Sequence, residues 1–132
     1  TLTLAEVCKI VTNITGENIG NDATYWAKNY IEYAQVNGCV LSDAKITKAN
    51  WDVPATREQA VYAITLALQD QGKIAGNNSV NINDIGSIDE RMKSTILLAY
   101  KAGVVKGSDS GNFNPKSSIT RAEICQILYN IQ

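Results

Sequence analysis

The chain contains no histidine, only three cysteines, and no apolar run that approaches the roughly 20 residues of a membrane span. Without histidine, and with Cys8, Cys39 and Cys125 too scattered for any short ligand spacing, the sequence offers no zinc-type ligand set. No excess of charge is present either: twelve basic against thirteen acidic residues leave a formal charge of -1. That balance excludes global attraction to nucleic acid or to an anionic membrane, so a charged partner has to be bound locally. The first residues lack a basic stretch followed by an apolar core, and the segment is expected to be soluble. Catalytic vocabulary is also missing. No distinctive nucleophile motif occurs, and nothing brings two of the acids to the separation that glycoside hydrolysis needs. The expectation is a protein that is not an enzyme and that uses neither cofactor nor metal.

What is present is repetition. Ile119-Thr120-Arg121-Ala122-Glu123-Ile124-Cys125 has weaker copies at Thr56-Arg57-Glu58-Gln59-Ala60-Val61 and Thr3-Leu4-Ala5-Glu6-Val7-Cys8. Aligned on the threonines, Val7, Ala60 and Ile124 coincide, as do Ile10, Ala63 and Ile127, then Val11, Ile64 and Leu128. These three- and four-residue intervals make one apolar helix face. Each threonine is a helix cap, with Glu6, Gln59 or Glu123 three residues later as its capping-box partner. The pattern predicts helices over 3–14, 56–69 and 120–131. A second pattern, from Trp26-Ala27 to Gly38 and from Arg91-Met92 to Gly103, predicts helices over 24–37 and 89–102 that stop at glycine. Cys8 and Cys125 share an offset that Val61 fills in the third copy, which favours buried small hydrophobes. A Cys8–Cys125 disulfide is the other reading.

At 132 residues the chain fits a single domain over 1–132. Within it, 1–15 reads as a partial first repeat, 19–69 as a divergent second and 82–132 as a well-matched third. Linkers lie at Gly16–Asp22 and Gln71–Ser79. Gly107 through Phe113 reads as an exposed turn whose Phe113 folds back onto the helix pair. The Asp109-x-Gly111-Asn112 neighbourhood lacks the acidic ligands and distal glutamate of an EF-hand, which argues against metal binding.

Ala102-Gly103-Val104-Val105-Lys106-Gly107, Phe113-Asn114-Pro115 and Ile119 through Glu123, in that order and spacing, resemble the surface-layer homology family. The resemblance implies an all-α or mostly α fold, with helical repeats around a central three-helix bundle. Two outer prongs are evident here, and the first repeat is incomplete or divergent. It also implies noncovalent attachment of a secreted protein to secondary cell-wall polysaccharide at a bacterial surface, often through pyruvylated sugars held in grooves between repeats. A further reading is that an adjacent domain or self-association completes the missing prong. The competing reading is a structural or protein-interaction module that has lost glycan binding, motivated by Leu4 standing where the other copies carry arginine.

The same resemblance implies the site. Arg121 is its leading residue, since a guanidinium makes paired hydrogen bonds to a carboxylate; an exposed or internally paired arginine is the alternative. Arg57 is its counterpart in the divergent repeat. Trp26 is either a sugar contact or a packing anchor, and Arg91 holds the corresponding place in the last unit, so the grooves should differ chemically. Asp84 either accepts from sugar hydroxyls or orders its own turn. Gly107 permits close backbone approach or simply makes the turn, and Lys106, Ser108 and Asp109 are candidate wall residues.

Overall fold

A computed structural model describes residues 1–106 and 110–131. Among these residues six α-helices run in chain order: α1 (Leu4–Thr15), α2 (Lys28–Val36), α3 (Lys48–Trp51), α4 (Arg57–Asp70), α5 (Lys93–Lys101) and α6 (Arg121–Asn130). A single 3-10 turn, Ile85–Ser87, precedes α5, and the described residues form no strand longer than an isolated bridge. The fold is mostly helical, as the repeat pattern implies.

Local chemistry starts the three long helices identically. Thr3, Thr56 and Thr120 each accept the N–H of the residue three positions on, at 3.1, 3.3 and 3.1 Å. Glu6, Gln59 and Glu123 return the bond by accepting the threonine N–H at 3.0, 2.9 and 3.1 Å. Each capping box therefore satisfies two donors that a helix start otherwise leaves without a partner.

The residues just before these caps join the three starts into a ring. Leu2 N–H donates to the Ile119 carbonyl, Ile119 N–H to Ala55, and Ala55 N–H back to Leu2, at 3.3, 2.9 and 2.8 Å. All three side chains are buried. Two further bonds reinforce it, from Leu4 N–H to the Val53 carbonyl and from Arg57 N–H to that of Ser117. The result is a pseudo-threefold hub, with α1, α4 and α6 leaving from its three corners.

Packing around that hub is unequal. α1 lies against α4, α2 covers α1, and α5 covers α4, whereas α6 makes no comparably close helix seam among the described residues. Equivalent side chains show the consequence. Ala5, Cys8 and Thr12 on α1 are buried, as are Glu58, Val61 and Thr65 on α4; on α6 the same positions, Ala122, Cys125 and Tyr129, are exposed, Tyr129 by 71%. The expected burial of Cys125 is thus corrected: its register matches Cys8, but no outer helix covers it. All three cysteines are free thiols. Burial, with a smaller contribution from Cys39, pushes Cys8 up to about 12.

The outer helices begin later than the sequence pattern suggests. Asp22 holds the N–H groups of Thr24 and Tyr25, and Asp89 holds that of Arg91, so each approach is a turn and α2 and α5 start at Lys28 and Lys93. Both end as expected, at Gly38 and Gly103 with φ of 72° and 76°. The irregular stretch between α2 and α4 contains α3, capped by Thr47, which buries Trp51 completely and gives its indole N–H to the Lys45 carbonyl at 3.1 Å. Phe113 folds inward as expected, edge-on to Tyr100 at 5.8 Å between ring centroids.

Candidate functional site

At each corner of the hub the first residue of one helix approaches the third residue of the next. Arg57 of α4 meets Glu123 of α6, its Nε 2.7 Å and its Nη2 2.5 Å from Oε2, while Nη1 donates to the Asn114 carbonyl at 2.8 Å. Arg121 of α6 meets Glu6 of α1 through Nη2 alone, at 2.8 Å. At the third corner Leu4 and Gln59 line one groove, so an apolar residue and a neutral amide replace both members of the ion pair. Burial pushes the Glu123 and Glu6 carboxyls up, but cap N–H groups and the facing guanidinium outweigh it, and both lie below the ordinary glutamate value.

The two arginines differ in availability. Arg57 is consumed by three contacts and its side chain is 18% exposed; Arg121 makes one contact and is 64% exposed. A guanidinium has a second edge of donors, so Arg121 can hold Glu6 and still grip another carboxylate.

Each corner opens into a groove. The Arg121 groove, about 470 Å³, is lined by Thr3, Glu6, Lys9, Ile10, Asn13, Trp26 and Asp52. The Arg57 groove, about 240 Å³, is lined by Lys106, Asn112, Phe113, Glu123, Gln126 and Asn130 among others. The Leu4 groove, about 200 Å³, has Leu41, Ser42, Gln59, Tyr62, Asp89 and Arg91 on its walls. The first two use the same helical register, since Glu6, Lys9, Ile10 and Asn13 occupy on α1 the positions of Glu123, Gln126, Ile127 and Asn130 on α6.

The residues singled out in the sequence are therefore split. Arg121 and Trp26 share one groove; Arg57 and Lys106 share another. Asp84 lines neither: its two oxygens accept the Phe113 and Asn114 N–H groups, each at 2.8 Å. Burial raises its pKa, but those bonds prevail and hold it below the ordinary aspartate value. They fix the loop that keeps Asn114 at φ 57° with its carbonyl on Arg57, so Asp84 acts behind the groove wall. Gly107, Ser108 and Asp109 lie outside the described residues. Arg91 reaches the Leu4 groove with Nε and Nη2 on Asp89 at 3.1 and 2.9 Å; these bonds bring the Asp89 carboxyl down to about 2.

Sequence reasoning missed the inter-corner partners Glu6 and Glu123 as groove residues, along with Lys9 and Asn13. The first two were visible only as caps. The signal for the others is their helical register, three and seven residues beyond Glu6 on the same face. No cluster of three or more metal-binding side chains occurs among the described residues, and none of their helices is long and apolar enough to cross a membrane.

The hub, its radiating helices and the grooves between them define a helical-repeat module with a cleft at each of three corners, two of them headed by the helix-start arginines Arg57 and Arg121. Residues 81–125 match the S-layer homology domain family. An amylopullulanase of Thermoanaerobacterium thermosulfurigenes and an exoglucanase of Acetivibrio thermocellus are each 27% identical over 106 residues. That is 80% of this chain but 6% and 10% of those proteins. A surface-layer 125 kDa protein of Lysinibacillus sphaericus is 33% identical over 66 residues, 50% of this chain and 6% of that protein. The chain thus spans a tenth or less of the relatives it matches.

Proposed function

We propose that this chain anchors a protein noncovalently to a bacterial cell wall by binding an acidic or pyruvylated secondary cell-wall polysaccharide in a groove at the hub. It acts outside the cell and has no catalytic role of its own. The observation that carries this reading is Arg121, exposed at the mouth of the widest of the three corner grooves with only one of its edges engaged. A carboxylate on a sugar ring accepts that free edge, and neighbouring polar groups such as Asn13 and Thr3 face its hydroxyls. The match to a surface-layer protein and to two carbohydrate-active enzymes fits a portable anchor that serves unrelated cargo. The Arg57 groove is the secondary site, because its guanidinium must first release Glu123 or Asn114.

Calorimetry with purified wall polymer tests this, before and after mild acid removes its ketal-linked pyruvate. Binding to the intact polymer and loss of binding to the stripped one are expected. Equal affinity for both would overturn recognition through the carboxylate.

The unit boundaries 1–15, 19–69 and 82–132, within a single domain, belong to the same proposal. So does an adjacent domain or a second copy that covers the exposed face of Ala122, Cys125 and Tyr129 on α6. That face also favours the alternative of a protein-interaction module without glycan binding. Light scattering over a range of concentrations, run beside the polymer titration, separates them: a stable protein complex with no wall selectivity supports the alternative.

A further inference from the structure

Lys9 lies in the Arg121 groove, on α1, three residues beyond Glu6. Its Nζ stands 5.6 Å from the ring centroid of Tyr30 and 5.9 Å from that of Trp26. The two rings are tilted against each other at 6.0 Å and together form a shelf under the ammonium. Among the described residues no carboxylate pairs with Lys9. Both acids of the groove are already committed. Glu6 accepts from Thr3 and Arg121, and Asp52 from the Tyr25 hydroxyl and from Lys48.

The groove is therefore left with one cation lacking a counter-ion, beside a guanidinium that has donors to spare but whose charge Glu6 offsets. The other corners differ at this helical position, where Tyr62 and Gln126 replace the lysine. We infer that Lys9 is a second anion-binding residue of the Arg121 groove, held in place by Trp26 and Tyr30, and that the group it receives is a single carboxylate carried on a sugar ring. Arg121 orients that carboxylate through directed hydrogen bonds, and Lys9 supplies the compensating charge. This rests on the groove reading above and adds to it a second charged contact. Trp26 is then a positioning residue whose face is occupied by the ammonium instead of by a pyranose ring.

The test is calorimetry with a methyl glycoside bearing a cyclic pyruvate ketal, and with its neutral methyl ester, against wild type, K9Q, K9R, W26L and the K9Q/W26L double variant. Lys9 is exposed, so folding of K9Q is checked simply by circular dichroism. K9Q is expected to weaken the ketal about tenfold, the scale of one charge contact near a protein surface, and to flatten its salt dependence. K9R should retain affinity, and the ester should not respond to K9Q. W26L should weaken binding when Lys9 is present and cost nothing further in the K9Q background. Unchanged affinity in K9Q alongside a loss in Arg121→Ala would overturn the role of Lys9 and leave the groove reading intact. A W26L cost that persists without Lys9 would overturn the positioning role. No binding of the ketal by wild type would overturn the groove reading and this inference with it.

Discussion

Arg121 touches Glu6 through one nitrogen at 2.8 Å, whereas Arg57 gives both sides of its guanidinium to Glu123 and the Asn114 carbonyl. The same motif residue thus serves two ends at equivalent corners. One arginine holds the hub together, and the other is left open toward solvent. Their removal should separate these roles.

Arg57→Ala is expected to destabilise the fold by about 2 kcal/mol, since it strips charged hydrogen bonds from a half-buried carboxylate and from a loop carbonyl. Arg121→Ala should cost about 0.5 kcal/mol or less, as an exposed single-contact pair does. Urea denaturation of the two variants checks this, and similar losses would argue that Arg121 is structural too.

Trp51 anchors the stretch between α2 and α4. It is completely buried, and its indole N–H is satisfied by Lys45. Truncation to alanine should cost about 3–5 kcal/mol and lower the melting temperature sharply. A shift of only a degree or two in a thermal melt would mean that α3 is a surface ornament.

Thiol chemistry should distinguish the three cysteines. Cys125 is exposed, while Cys8 and Cys39 are buried with their thiols pushed up to about 12 and about 11, mainly by burial. One fast-reacting thiol per folded chain is expected with a disulfide reagent at pH 8, rising to three in denaturant. Slow labelling of Cys125 in the native protein would show that its face of α6 is covered in solution.

Acid should weaken the hub. Glu6, Glu123 and Asp84 are all held below their ordinary values, so the folded state binds fewer protons than the unfolded chain as each titrates. Their contribution is complete above the unfolded values of 4.5 and 3.8, and is lost as pH falls below them toward the lower folded values. Stability measured by urea should be flat from pH 7 to about 5.5 and should decline from about pH 4.5 downward. Arg57→Ala should blunt that decline.

The helix starts were legible because a capping box is local: Thr120 and Glu123 carry their instruction within one turn. Phe113 was legible for a similar reason, as a lone aromatic in a polar turn has few places to go except back onto its helices. The ring of Leu2, Ala55 and Ile119 was not legible, since its bonds join residues far apart in sequence and leave no trace in spacing. The same holds for which glutamate each arginine meets. Cys125 shows the limit of comparing repeats: register predicts which way a side chain points, but burial depends on a neighbouring helix. Lys9 escaped notice because a lysine on a helix is ordinarily a solvated charge, and only the aromatic pair brought in by α2 distinguishes it.

The most direct measurement is a calorimetric titration of a pyruvate-ketal glycoside into wild type, Arg121→Ala and Arg57→Ala, each verified as folded. Arg121→Ala is expected to lose at least about tenfold in affinity, as removal of a charge-assisted contact should, while Arg57→Ala, once folded, binds within about threefold of wild type. Undiminished binding by Arg121→Ala, or a loss confined to Arg57→Ala, would contradict carboxylate recognition by Arg121.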